Sequence, residues 1–301
     1  MIKPTVRLFI SDIRCVLCTT SFWLCVLLLG LLYCCAPYQI PNASDSVTLF
    51  ALLSDPNYGR YLCSDFDLTA YGAFLNMQQV PWGSVFLSGL CVLPFLQVFS
   101  VQYEHVFHAM QIRTTAMGYT AATTMASVCA ALLCIVCSRA IYAALVYAIF
   151  PSDADLLRNQ HVQSMYAIYG ESLCERLQYC GKFLINDTVG TAIYGVFTVW
   201  LYTIIRNNLL VVSVSCLLQY GSIKLLDAYS LWLFADKIRL ESNLLTGVQL
   251  LFPSTHWELY SRFTMETGLR FAWCALILSV LLVLFLICLC KQIRRRGVYS
   301  G

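Results

Sequence analysis

Few side chains in this chain of 301 residues could do chemistry, and their spacing limits what each could do. Glu104, His105 and His108 form the one acid–imidazole cluster. Glu104 and His108 stand four apart and His105 and His108 three apart, so on a helix all three share a face and could begin a metal site. The sequence shows no fourth ligand, so the segment reads as a solvated polar loop helix; no metal and no cofactor is expected. Lys224 and Asp227, at i and i+3 within an apolar stretch, are the second candidate. Charges at such depth are expensive and face a partner, a cavity or a pathway, unless they sit at a helix end reaching for water. Arg139 carries the same two readings.

The 16 cysteines suggest redox or metal chemistry until they are located. Thirteen fall within or beside apolar stretches, where Cys behaves as a small hydrophobe, and the C-x-x-C pairs Cys15/Cys18 and Cys134/Cys137 are among them. Cys63, Cys174 and Cys180 lie in polar segments, and two of the three could form a disulfide in an oxidising compartment. No G-x-x-x-x-G-K-[ST], H-E-x-x-H or G-x-S-x-G occurs, and Gly181-Lys182 is followed by Phe183 without the upstream Gly. Nothing in the chain marks it as an enzyme.

The elements that must position these groups are set by where charge is missing. No Asp, Glu, Lys or Arg occurs between Arg14 and Asp45, Asp67 and Glu104, Arg113 and Arg139, Asp187 and Arg206, Arg206 and Lys224, or Arg270 and Lys291. A hydrocarbon core of ~30 Å needs ~20 apolar helical residues, and these gaps supply them in turn. Hydrophobic residues make up 59% of the chain and charged residues 12%, at a mean hydropathy of +0.70, which excludes an ordinary soluble globule. The expected fold is therefore all-α, a single membrane domain over residues 1–301 with six transmembrane helices. The spans are placed at about 15–36, 84–101, 115–139 or further, 188–205, 209–232 and 271–290. Lipid leaves no partner for open backbone groups, and no period-2 alternation suggests barrel strands.

Orientation follows from Lys and Arg. With both termini cytoplasmic, the inner pieces hold Lys3, Arg7, Arg14, Arg113, Arg206, Lys291, Arg294, Arg295 and Arg296. The outside loops, at about 37–83, 151–187 and 233–268, are far longer yet hold seven basic residues and thirteen of the 16 acids. The basic residues thus orient the chain in a cell membrane, and the formal charge of +3 is no sign of nucleic acid. Ahead of the first span, Val6, Phe9, Ile10 and Ile13 recur on one helical face, with Arg7, Ser11, Asp12 and Arg14 off it. That pattern predicts an amphipathic N-terminal helix lying in the inner interface. The apolar run 244–252 is too short to cross but long enough to re-enter the outer leaflet.

The order of these parts resembles the membrane (permease) subunit of ABC-2 type transporters over essentially the whole chain. The amphipathic N-terminal helix with Arg7 and Arg14, the acid-containing inner segment Tyr103 to Arg113, Tyr119 at the start of span three and the long outside region before span six carry the likeness. The Lys often found a few residues after that Tyr is absent, since positions 120–124 read Thr-Ala-Ala-Thr-Thr. The resemblance implies an ATP-driven exporter whose energy comes from a separate cytoplasmic ATP-binding subunit, coupled through Glu104, His105, His108 and Arg113. It also implies a second permease copy or a related permease, and an amphipathic substrate such as a peptide, lipid or drug. The competing expectation is a non-transporting membrane scaffold or sensor whose outside loops bind a partner.

Overall fold

The computed structural model describes residues 4–36, 38–39, 46–55, 70–75, 83–106, 114–150, 173–218, 220–221, 280, 283–284 and 286–295. Apart from a two-residue antiparallel pair, β1 (Tyr38–Gln39) with β2 (Ser46–Val47), its regular structure is helical. In order come α1 (Pro4–Cys18), α2 (Thr20–Tyr33), the short α3 (Leu49–Ser54) and α4 (Ala70–Leu75), and α5 (Gly83–Val101). A π-helical turn (Gln102–Val106) extends α5 and is followed by α6 (Ala116–Ile149), α7 (Leu173–Ile205) and α8 (Asn208–Leu218).

Two elements differ from the sequence expectation. The first span is not one helix from residue 15. α1 and α2 meet at Thr19 with a 64° bend. Thr19 closes a three-residue turn with its own N–H on the Val16 carbonyl at 3.0 Å, and its hydroxyl donates to the same oxygen at 2.6 Å. A side chain that takes a carbonyl out of the i→i−4 ladder breaks the helix there. Trp23 Nε1 donates to the Leu17 carbonyl at 3.1 Å across the break. The second difference is length. α7 begins at Leu173, within the stretch expected as outside loop, whereas α6, at 34 residues, extends past Arg139 as the sequence allowed and so holds Arg139 inside the helix.

Among the described residues α6 is the one helix long and apolar enough to cross a membrane by itself, or there are two such spans if the bent pair α1–α2 is one. Much of spans five and six and of the outside loops, and Cys63, Lys224, Asp227, His108 and Arg113, lie outside the described residues.

The chain divides into two compact units. The first comprises Met1–Cys25, Ser84–Cys134 and Asn186–Gly301, and the second Val26–Gly83 and Ile135–Ile185. The first unit buries hydroxyl side chains among its apolar ones and leaves several large apolar side chains exposed. Its buried side chains include Thr120, Thr123, Thr124, Ser127, Thr191, Thr198, Thr203 and Ser215, while Trp23, Leu24, Met117, Met125, Leu209, Leu210 and Leu217 are exposed. Burying a hydroxyl away from water is tolerable when it finds an acceptor on its own helix, as several of these do; Ser127 Oγ has none among the described residues. Thr120 donates to Ala116 O, Thr124 to Thr120 O, Thr198 to Gly195 O and Ser215 to Val211 O, at 2.8–2.9 Å.

Small residues let the helices of this unit approach closely, the usual device where lipid offers no hydrophobic drive between helices. Ala122, Ala126 and Ala130 form a smooth buried stripe on α6. A Cβ on Gly195 of α7 would stand 2.8 Å from Ser127 Oγ of α6 and 3.7 Å from Val92 of α5. The second unit is organised around Tyr142. Its hydroxyl donates to the Ala73 carbonyl at 3.1 Å, and its ring packs on Tyr33 and Phe74 with centroids 5.8 and 6.2 Å away.

Candidate functional site

The polar side chains of the first unit gather where α5 gives way to the π turn. Phe95, Phe99 and Tyr103 recur every four residues and stack in succession, with ring centroids at 6.3 and 5.3 Å. Tyr202 of α7 meets Phe99 and Tyr103 edge-on at 5.9 and 6.3 Å. A π turn winds one residue wider than an α-helix and re-aims the side chains that follow, a geometry often found at functional sites.

Three sequence-distant hydrogen bonds hold this junction. Asn208 Nδ2 donates to Ser100 Oγ at 3.1 Å, and Ser100 in turn donates to the Gln97 carbonyl at 2.8 Å. Gln102 Nε2 donates to Asp12 Oδ1 at 2.7 Å. The Tyr202 hydroxyl donates to Glu104 Oε1 at 2.5 Å. Glu104 is itself exposed, so its carboxylate is anchored through one oxygen and otherwise faces outward. His105 beside it is exposed too. Among the described residues no group of three or more His, Cys, Asp or Glu could hold a metal ion.

The tight connection behind this site is built by Arg206 and Asn207. Arg206 has φ 53°, the left-handed region, and its N–H reaches the Tyr202 carbonyl at 3.0 Å to end α7. Asn207 Oδ1 then accepts from Leu210 N at 3.1 Å and caps α8. A non-glycine residue in that region costs about 1–2 kcal/mol. Arg206→Gly should therefore raise thermal stability by about 1 kcal/mol, read as a higher unfolding temperature in detergent. An unchanged or lowered temperature would show that the arginine side chain itself stabilises the turn.

Arg7 and Arg14 are exposed on α1. Leu8, Asp12 and Val16 are its buried residues, whereas Val6 and Ile10 of the apolar stripe point outward. The face of α1 that packs on protein is therefore mainly apolar, with Asp12 as its one polar member, and Arg7, Ser11 and Arg14 are exposed.

In the second unit Arg139 is 9% exposed, and its charge acts on Cys180 of α7. Burial pushes the Cys180 thiol up, and a hydrogen bond with Tyr71 and the Arg139 charge oppose that. Cys174 and Cys180 are both free thiols. They stand six residues apart on one continuous helix, about 9 Å along its axis, beyond disulfide reach, so a bridge between those two is not compatible with α7.

No protein-family model, curated protein or solved structure matches the chain.

Sequence reasoning missed Asp12, Ser100, Gln102, Tyr202 and Asn208 as members of this junction. One signal was available: apart from Glu104 and Asp227, Asp12 is the one acid outside the three loops assigned to the outside.

Proposed function

We propose that this chain is the membrane-spanning subunit of an ATP-driven exporter, with six spans and both termini cytoplasmic, working with a separate ATP-binding subunit and a second permease. The observation that supports the membrane part most is the exposure of Leu, Met and Trp side chains, with several hydroxyls buried, on helices drawn from the charge-free stretches. The exporter part rests on the order of the amphipathic N-terminal helix, the acid-bearing inner turn and Tyr119, together with the lack of any nucleotide motif in the chain itself.

In this reading α1 lies along the inner interface, the break at Thr19 turns the chain across the bilayer, and the π turn emerges on the inner face. The outward-facing Glu104 is then the charge that a docked ATPase would meet. Tyr202 fixes that charge to α7, so movement of the ATPase surface is passed to a spanning helix and not absorbed by a loose loop.

Topology is the first test. Reporter fusions after residues 60 and 170 should read as outside and a fusion after 296 as cytoplasmic. A cytoplasmic signal at 170 sinks the six-span arrangement. The second test is biochemical: the ATPase encoded beside this gene, if one exists, should co-purify with the chain and hydrolyse ATP faster in its presence. A chain that inserts as predicted yet neither binds nor stimulates any such ATPase is a scaffold or sensor instead.

A further inference from the structure

α1 places a carboxyl where a buried helix stripe ordinarily carries an apolar side chain. Leu8, Asp12 and Val16 follow one another at every fourth residue on its buried face, and Asp12 is 1% exposed. Its Oδ1 accepts from Gln102 Nε2 at 2.7 Å, while Oδ2 is buried and has no hydrogen-bond partner among the described residues. An ionised carboxylate has lone pairs on both oxygens to satisfy, and leaving one oxygen dry is costly.

Among the described residues, the charged and titratable groups around it do not compensate. Arg7 and Arg14 on α1 are exposed. The π turn that supplies Gln102 also carries Tyr103, Glu104 and His105, and Glu104 is engaged by Tyr202. The start of α6, which approaches α1 where a Cβ on Gly118 would stand 2.9 Å from Thr5 Oγ1, has Tyr119 and no charged residue before Arg139. A carboxyl so placed is better suited to a proton than to a charge.

We propose that Asp12 is a proton-binding site, holding the proton on Oδ2 when α1 is seated against the π turn and giving it to water when α1 lifts away. The ligand is the proton itself, and the element it controls is the packing of α1 on Gln102. The inference stands on the packing of the first unit and does not depend on the exporter reading.

Burial is the main influence on the group and lifts its pKa from 3.8 to about 6, with the Gln102 hydrogen bond opposing. The sign of the linkage follows. Below about pH 3.8 the group is protonated whether α1 is seated or lifted, so pH has no effect. Between 3.8 and about 6 the seated form keeps a proton that the lifted form loses, and seating weakens as pH rises. Above about 6 the full penalty is present. Integrated over these two values, seating should weaken about tenfold between about pH 5 and 7.5.

Two readouts on the full chain in lipid nanodiscs test this. Infrared difference spectra should show a protonated-carboxyl C=O band that titrates near pH 6 and is missing from Asp12→Asn. Hydrogen exchange over residues 4–18, corrected for intrinsic rates, should speed up about tenfold from about pH 5 to 7.5 in the parent chain and not at all in Asp12→Asn. Gln102→Leu serves if the Asn variant does not fold. Removing the bond that favours the ionised form should move the band's midpoint upward. A band near pH 6 that survives in Asp12→Asn, a midpoint that Gln102→Leu leaves in place, or a parent chain with no such band would each overturn the proposal.

Discussion

On the exporter proposal, Glu104→Ala should lower substrate-stimulated ATP hydrolysis by the reconstituted complex about tenfold, with the chain still folded and inserted at parent levels. The Tyr202 hydroxyl donates to the Glu104 carboxylate, and hydrogen bonds to charged groups contribute ~1.5–3 kcal/mol. Glu104 is exposed, so the lower end applies, and about 1.4 kcal/mol is a factor of ten. Tyr202→Phe removes the same bond from the other side and keeps the ring against Phe99 and Tyr103. If Glu104 acts through Tyr202, the two substitutions together should cost little more than either one. Additive losses would mean that Glu104 meets the ATPase independently of α7. Parent rates in both single variants would take this turn out of the coupling path, and the remaining role for Glu104 would be a solvated charge at a membrane edge.

The second large effect concerns close packing, and α7 supplies its own control. Gly195→Leu should lower the unfolding temperature sharply and reduce the amount of folded protein recovered from membranes. Even its Cβ would fall 2.8 Å from Ser127 Oγ, and the rest of the side chain has Val92 on the other side. Overpacking of this kind typically costs ~1–3 kcal/mol. At Gly181, on the same helix, a Cβ would meet nothing within 4 Å. Gly181→Leu should be neutral, or stabilising by about 0.5–1 kcal/mol because a mid-helix glycine is removed. Fluorescence-detected size exclusion after heating separates the two. Equal stability of both variants would show that α6 and α7 are not packed through Gly195.

Much of the helical architecture is legible in the chain because it is a matter of local composition. A run of some twenty residues without charge has one economical conformation in a medium that cannot hydrogen-bond, and α5, α6, the later part of α7 and the start of α8 fall where such runs occur. The expectation for span three allowed for extension beyond Arg139, and α6 does continue to Ile149. Where helices break was less legible. Thr19 is an unremarkable residue in an apolar run, and its effect depends on which carbonyl its hydroxyl takes.

The candidate site divides along the same line. Glu104 was recognisable as an isolated acid beside an apolar span. Its partner Tyr202 is 98 residues away, and the partner of Asp12 is 90 residues away. No periodicity or charge count along the chain carries such pairings. The amphipathic pattern of residues 6–13 identified a helix with two unlike faces. Which face turns inward depends on the surroundings: water would bury Val6 and Ile10, whereas the folded unit leaves them exposed and buries Asp12. The sequence determined where this chain forms charge-free helical stretches and how its charges are distributed between them. Only tertiary packing decided which polar groups are removed from water, because the energy of a buried carboxyl is set by the groups that surround it.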